Sequence, residues 1–384
     1  MPRVLFITST LDHGGAERHT VTLFNRLGER GHDVHLAFIK DRRAQLVRVR
    51  PPPSGTVRCL YAQRHLDTRA VADLARTIAA LVPSVVVAAN EYALLYSMLA
   101  RRRAAATQPA VVVTCHAMHA IGMKQWLKLW AYRPLFWAAD CAVFVCEVQR
   151  RRWLRRALFA RRNEVIYNGV NVEEFVDRST VDERESLRRS LGLADSDYVI
   201  ALTAALRPEK NHLQLVDAVA SLRSRGVPAR ALLIGDGETR GAIQARAREL
   251  GIGQHVLITG FKTDVRPFVS AADVAVLCSV TEAMPLATLE AMALGKPIVH
   301  SDVGGAAEII TPGRDGFLFP PRNTSVLVNQ LEILADRDSR RAMGRRARAA
   351  AVTSFSEHAM VDAYERLLVD LTRDSQHSSA RALP

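Results

Sequence analysis

The sequence predicts an α/β protein of two successive domains, each a parallel sheet wound with helices. Three observations carry this. Short apolar, β-branched runs alternate with longer helical patterns from Val4 to Leu371. The rhythm breaks once, at Asn168-Gly169-Val170-Asn171 and the charged stretch 173–187, and then restarts. The length, 384 residues, is more than one typical core and suits two.

The first domain is expected over 1–168. Val4–Thr8 reads as a strand, Gly14-Gly15 as a turn, and the run through Leu23, Phe24 and Leu27 as a helix ended by Gly31. Val34–Ile39 is the next strand, so the unit is βαβ and the sheet parallel. Residues 41–55, with Pro51-Pro52-Pro53, read as an exposed loop. Helix 71–81, strand 84–89, helix 92–103 and strand 110–115 follow. A helical region over 122–138, interrupted at Pro134, comes next. Strand 141–145, helix 147–160 and strand 164–167 close the domain.

The second domain is expected over 169–355. Its strands are 198–203, 230–234, 255–259, 274–277, 297–299 and 316–319. Helices read over 212–225, 240–250, 265–270, 286–294, 324–335 and 339–352. A last helix, 356–373, repeats apolar residues at Met360, Tyr364, Leu367 and Leu368 and is expected to pack back on the first domain. The tail 374–384 is polar and expected to be disordered.

Composition narrows the class. A hydrophobic share of 48% and a charged share of 24% are ordinary for a globular enzyme. The five cysteines form no CxxC pair and read as buried thiols. The amino terminus looks like a core strand rather than a signal peptide, and no apolar run approaches the ~18 residues of a membrane span. The net charge of +13 is uneven: residues 1–170 hold 26 Lys+Arg against 11 Asp+Glu, a net +15. All four tryptophans fall between Trp126 and Trp153, beside Lys124, Lys128 and the arginines of 150–162. Aromatics with cations suit an anionic bilayer surface. Single-stranded nucleic acid and a solvated helix face fit the same pattern.

The residues with chemical promise cluster after strands. Gly14 and Gly15 let backbone N–H groups approach an oxyanion at a helix start, although a tight turn alone explains them. This is not GxGxxG, so a dinucleotide cofactor is not indicated. His116 follows a core strand and His119 comes three residues later; a neutral imidazole there could donate to a hydroxyl or phosphate, or simply cap a helix. Arg207 and Lys210 could neutralise a diphosphate. Gly235-Asp236-Gly237-Glu238 reads as a structural turn. Glu282 and Glu290, with seven residues between them, are the sharpest pair. Glu290 lies in an apolar helix, where a carboxylate is costly unless it accepts hydrogen bonds, and ribose hydroxyls are suitable donors.

In order along the chain, GGAE (14–17), TCHA around His116, VIYNGVN (165–171), LRPEKNH (206–212), IGDGE (234–238), TEAMPLATLEAMALGKPIV (281–299) and SDVGGAAEII (301–310) make the chain resemble the retaining glycosyltransferases of family 4. The resemblance covers nearly the whole chain. It implies the GT-B fold, two Rossmann-like lobes facing a central cleft. It implies a nucleotide-sugar donor, UDP- or GDP-linked and consumed as a substrate, with no cofactor and no metal. Glu290 would bind the ribose. Glu282, with the backbone of Ala283, Met284, Pro285 and Leu286, would hold the sugar. Lys210, helped by Gly15 and Arg207, would hold the diphosphate, and His116 would contact the sugar near the reacting carbon. Two departures stand out. Ala205 occupies the place of a family arginine, for which Arg207 is the candidate substitute two residues on, and Glu147 stands where the family has serine.

The expected activity is therefore transfer of a sugar to a lipid-linked or growing glycan in cell-surface polysaccharide or glycolipid synthesis. The expected location is cytoplasmic, peripheral on the inner membrane face through 124–162, with nucleic acid a poor fit. A sugar-nucleotide epimerase and a non-catalytic nucleotide-sugar binder are the competing readings.

Overall fold

The structure, a computed structural model, describes residues 1–104, 107–118 and 123–380, with side chains described throughout except at 123–126, 128 and 375–380. The chain divides into two compact units, one of Met1–Asn168 with the C-terminal helix from His358, the other of Gly169–Glu357.

The first unit is built on seven parallel strands, β1 (Arg3–Thr8), β2 (Asp33–Phe38), β3 (Val57–Cys59), β4 (Val85–Ala89), β5 (Ala110–Cys115), β6 (Cys141–Phe144) and β7 (Arg162–Val165). Their order is β3-β2-β1-β4-β5-β6-β7. Runs such as VVVAA in β4 are buried at every position, as a sheet covered on both faces requires. The helices are α1 (Gly15–Glu29), α2 (Thr68–Leu81), α3 (Asn90–Arg103), α4 (Met123–Trp137) and α5 (Glu147–Leu154). In α2, Ala70, Val71, Leu74 and Ile78 form the buried stripe, and Asp67 caps the start by accepting from the Arg69 and Ala70 N–H groups.

The C-terminal helix, Glu357–Ala380, places Met360, Val361, Tyr364, Leu367, Leu368 and Leu371 in one core with Val4, Phe6, Phe24 and Leu27. Glu365 fixes its register, accepting from Arg30 and from His32 Nε2, each at 2.6 Å. Where the chain passes between units, Val170 N–H donates to Phe355 O at 2.9 Å and Glu357 N–H to Val170 O at 2.8 Å. A Cβ on Gly169 would lie 2.6 Å from the Glu357 Cα, so this strand pairing needs glycine.

The second unit adds α6 (Val181–Ser190), β8 (Tyr198–Thr203), α7 (His212–Ser224), β9 (Ala229–Ile234), α8 (Arg240–Glu249), β10 (Val256–Ile258) and α9 (Arg266–Ala271). Then come β11 (Val274–Leu277), α10 (Leu286–Ala293), β12 (Ile298–Ser301), α11 (Ala306–Ile309), β13 (Gly316–Phe319), α12 (Thr324–Ile333) and α13 (Arg337–Ser354). The sheet is parallel, in the order β10-β9-β8-β11-β12-β13. In both sheets the order reverses once, between β1 and β4 and between β8 and β11. Loops leaving the carboxyl ends of strands at such a reversal diverge and open a ligand crevice.

Several elements differ from the sequence reading. The short strand β3 lies between the 41–55 loop and the helix read over 71–81, where the sequence reading assigns no element; three residues pairing with Leu36–Phe38 suffice at a sheet edge. The charged stretch 173–187 contains the start of α6, which has almost no apolar stripe and is held by a capping box between Thr180 and Glu183. Helix α4 runs through Pro134, whose carbonyl accepts from Ala138 N–H at 3.2 Å. Helix α5 stops at Leu154, short of 160, and Ala157 beyond it has φ +55°. The C-terminal helix continues past Asp374 to Ala380, where an irregular tail reads from composition; extending a formed helix adds a hydrogen bond per residue without a new nucleus. His119 and residues 381–384 lie outside the described residues.

Candidate active site

In the second unit the reversal point brings together two parts of the motif set that lie 72 residues apart. The loop after β8 carries Lys210 and the loop after β11 carries Glu282. Lys210 Nζ donates to Glu282 Oε1 at 2.5 Å. The pair is largely buried, with side-chain exposures of 24% and 10%. Ser279 Oγ donates to the same Glu282 oxygen at 2.7 Å, and Ser301 Oγ donates to the Ser279 carbonyl at 2.6 Å. The carboxylate is thus aimed by a short relay from the ends of β11 and β12. One further bond, Val280 N–H to Glu209 O at 2.8 Å, ties the two loops through their backbones.

The second glycine turn is part of the same construction. Gly304 has φ +59°, and a Cβ there would sit 1.9 Å from the Glu282 carbonyl. Gly305 N–H donates to Ala283 O at 2.8 Å. The backbone of 282–283 is therefore clamped by the 304–305 turn, and only glycine allows that approach. Helix α10 begins directly beyond, with Pro285 at its N-cap and no side-chain cap on its first turn. Helices α1, α3, α5, α7, α8 and α9 likewise begin without a side-chain cap, while Asp67, Thr180, Asn323 and Asp336 cap others. Glu290 is buried on α10, 4% exposed. Met284 and Ala283 are buried, and Leu286 opens the helix.

Arg207 is exposed and its side chain makes no hydrogen bond or ion pair among the described residues. It stands at the start of a 3-10 turn, Pro208–Lys210. Ala205 is also exposed. The GDG turn is structural, as expected from its spacing: a Cβ on Gly235 would lie 2.0 Å from the Ala204 carbonyl, and Leu206 N–H donates to Asp236 O at 3.0 Å. It buttresses the loop that presents Lys210. Lys296 of the GKP segment is likewise structural, donating to the Ser270 and Ala272 carbonyls at 2.7 and 2.8 Å. Burial pushes its pKa down to about 8.

In the first unit, the chain leaving β1 reaches Gly14 and Gly15 at the start of α1, again with no side-chain cap. Glu17 fills the space beside Gly14, and Thr10 Oγ1 donates to it at 3.3 Å. His116 follows β5. Its backbone N–H donates to Asn90 Oδ1 at 3.0 Å, and Asn90 itself has φ +65° at the start of α3. The His116 ring meets His19 edge to face at 4.5 Å, and His19 meets Tyr364 at 5.4 Å. Burial holds the His116 imidazole neutral, with its pKa pushed down to about 4, and burial together with His116 lowers that of His19 well below its ordinary value.

Sequence reasoning missed Ser279, Ser301, Asn90 and His19 as supports. Each lies within three residues of a strand end or within the first turns of a helix opening the site, which was the available signal. It also grouped Trp153 with the surface aromatics. Trp153 is core, 3% exposed, between Phe136 and Phe144, because the α5 stripe turns it inward. Trp130 and Trp137 are exposed, with Arg133 over the Trp130 ring at 5.7 Å. Glu147 pairs with Arg150 at 3.0 Å.

The expectation of no metal also rests on reading no Asp-x-Asp segment, and that reading is corrected: two such triplets occur, 195–197 and 336–338, and Asp197 and Asp336 in them have structural partners. Asp197 precedes β8, at the end of the sheet opposite the site, and accepts from Ala194 N–H and Arg230. Asp336 caps α13 through Ser339 N–H at 2.8 Å.

Comparison with known proteins identifies the family and the fold. Residues 183–350 match the family described as Glycosyl transferases group 1, and residues 13–174 match Glycosyltransferase Family 4. EpsD of Bacillus subtilis (strain 168), named as a glycosyltransferase, is 30% identical over 272 residues, 69% of this chain and 70% of that protein. The Escherichia coli UDP-Gal:alpha-D-GlcNAc-diphosphoundecaprenol alpha-1,3-galactosyltransferase is 27% identical over 54% of each chain. The crystal structure of Anabaena Alr3699/HepE in complex with UDP and glucose shares the fold, with a TM-score of 0.84 at 20% identity over 96% of this chain and 100% of that one. The chain belongs to the family 4 glycosyltransferases of the GT-B fold and is a glycosyltransferase.

Proposed function

We propose that this enzyme transfers a sugar, with retention of anomeric configuration and without a metal, from a nucleotide-sugar donor to a lipid-linked or growing glycan. The single observation that carries the donor site is the Lys210–Glu282 pair at the reversal point of the second sheet, clamped by Gly304. Glu282 is positioned to accept from sugar hydroxyls, and Glu290 from the ribose. Lys210 exchanges its carboxylate partner for the diphosphate when donor binds. As the anomeric C–O bond breaks, its electron pair leaves with the diphosphate, where Lys210, Arg207 and the α10 N-terminus stabilise the charge. The acceptor oxygen bonds to the same face, and its proton passes to the leaving phosphate oxygen. In the first unit, the Gly14–Gly15 turn and the neutral His116 imidazole are the groups suited to hydrogen-bond an anionic or hydroxyl oxygen.

Relatives and fold neighbours support the substrate class: one is named for a UDP-galactose donor and a diphosphoundecaprenol-linked acceptor, and another structure holds UDP and glucose. UDP-linked donors and cell-surface glycan synthesis are the reading we adopt. No helix among the described residues is long and apolar enough to cross a membrane. Exposed Leu127, Trp130, Trp137 and Phe159, with Arg133, Arg155 and Arg156, favour peripheral contact with an anionic bilayer on the cytoplasmic side.

A panel of UDP- and GDP-sugars, screened by thermal shift and then by product analysis, tests the proposal. One donor should raise the melting temperature and be transferred with the same anomeric configuration. Epimerised nucleotide sugar without acceptor, or binding without turnover on any acceptor, would overturn it. Loss of activity in chelator would overturn the metal-free part.

A further inference from the structure

We infer that Lys40 recognises an anionic group, phosphate or carboxylate, on the sugar acceptor. This rests on the glycosyltransferase reading and assigns part of the acceptor site in the first unit.

Lys40 leaves the carboxyl end of β2 and is held beside β1 by its backbone N–H, which donates to Ser9 O at 2.9 Å. Its loop carries three cations, and their pairings differ. Arg42 reaches Asp12 at 3.2 Å. Arg43 pairs with Asp41 and donates to the Tyr61 hydroxyl at 2.8 Å. Lys40 is half-buried, and its ammonium has neither a carboxylate nor a hydrogen-bond acceptor among the described residues. Its contact is the Tyr92 ring, 5.6 Å from Nζ to the centroid. A cation–π contact of this kind is weak and leaves the N–H donors available.

The platform beneath Lys40 is fixed. Tyr92 donates to the His65 carbonyl at 2.8 Å, and its neighbour Tyr96, fully buried, accepts from Asp67 N–H at 2.9 Å. Tyr92 lies two residues beyond Asn90, which holds His116. The first turn of α3 thus carries both the support of Lys40 and the support of His116. Tyr61, beneath Arg43, has φ +51°, and Asn90 has φ +65°. Non-glycine residues in that region are uncommon and concentrate at functional sites. A compact, strongly hydrated ammonium suits a phosphate or carboxylate as a point charge. The proposed function assigns the donor diphosphate to Lys210 and Arg207 of the second unit, and the anion assigned to Lys40 of the first unit is the acceptor's.

The test uses the full chain saturated with UDP, so that charged probes cannot occupy the donor site. Glucose 6-phosphate, glucuronate and glucose are titrated and followed by protein NMR. One or both charged sugars should bind at least about 10-fold more tightly than glucose, the scale of one hydrogen bond to a charged partner. Which of them does so distinguishes phosphate from carboxylate. Lys40→Gln should abolish that preference, Lys40→Arg should keep it, and melting temperatures should stay together. Equal binding of charged and neutral sugars by the wild type, no binding of any, or a preference that survives Lys40→Gln overturns the inference. Failure to bind UDP counts instead against the functional reading.

Discussion

Gly304→Ala should cripple donor use without touching a donor-contacting side chain. The added Cβ meets the Glu282 carbonyl at 1.9 Å, whereas Cβ contacts below 3.0 Å are essentially never seen, so one of the two backbones must move by roughly the 1.1 Å difference (3.0 − 1.9). A misplacement of ~1 Å in a catalytic constellation costs on the order of 100-fold. The φ of +59° adds about 1–2 kcal/mol of strain to the alanine variant's stability. Gly226→Ala separates the two effects, since Gly226 has φ +84° and nothing within 4 Å of its Cβ. It should lose similar stability and keep its activity. The assay is kcat/KM with the best nucleotide sugar, beside urea unfolding of both variants. If the two variants lose the same activity, the clamp on Glu282 is not what positions the donor site.

Other expectations follow from the same geometry. Glu290→Gln should bind UDP about 10-fold more weakly, while 2′-deoxy-UDP affinity changes little; equal losses by titration calorimetry would remove the ribose role. Burial lowers the pKa of His19, His116, His212 and His300, His212 to about 4, so these stay neutral in the folded chain while the unfolded chain takes up protons near pH 6.5. Stability then falls as the pH drops through 6.5 toward 4, by about 1 kcal/mol for each of His116 and His212 between pH 6.5 and 5.5, which urea midpoints measure. His19→Phe should flatten that slope. Ending the chain at Ser356 removes six buried apolar side chains from the first unit's core, roughly 9–18 kcal/mol of burial against a domain stability of about 5–15, so the product should bind a hydrophobic dye and aggregate.

Most of the architecture was legible because buried parallel strands write continuous β-branched runs, as in VVVAA and AVVVTC, and helices write a 3.6-residue stripe. The misses have physical causes. Strand β3 is three residues at an edge, and α6 depends on a capping box rather than a stripe. In the site, Glu290 stands out as a carboxylate in an apolar helix, Glu282 by its spacing from Glu290, and Lys210 by following the second unit's first strand. Their meeting was not readable, since it depends on strand order: Lys210 and Glu282 are 72 residues apart and join only because β8 and β11 are neighbours. Hydroxyls such as Ser279 and Ser301 carry no pattern of their own and become visible only through the carbonyl and carboxylate they reach.

The central claim is that the carboxylate held by Lys210 and Ser279 reads the donor sugar. The direct measurement compares wild type and Glu282→Ala for UDP affinity, UDP-sugar affinity and sugar transfer. UDP binding should remain within a few-fold, the extra affinity contributed by the sugar should disappear, and transfer should fall about 100-fold or more, a loss of about 2.7 kcal/mol in transition-state binding. Wild-type transfer rates in Glu282→Ala, or an undiminished preference for UDP-sugar over UDP, would contradict the account.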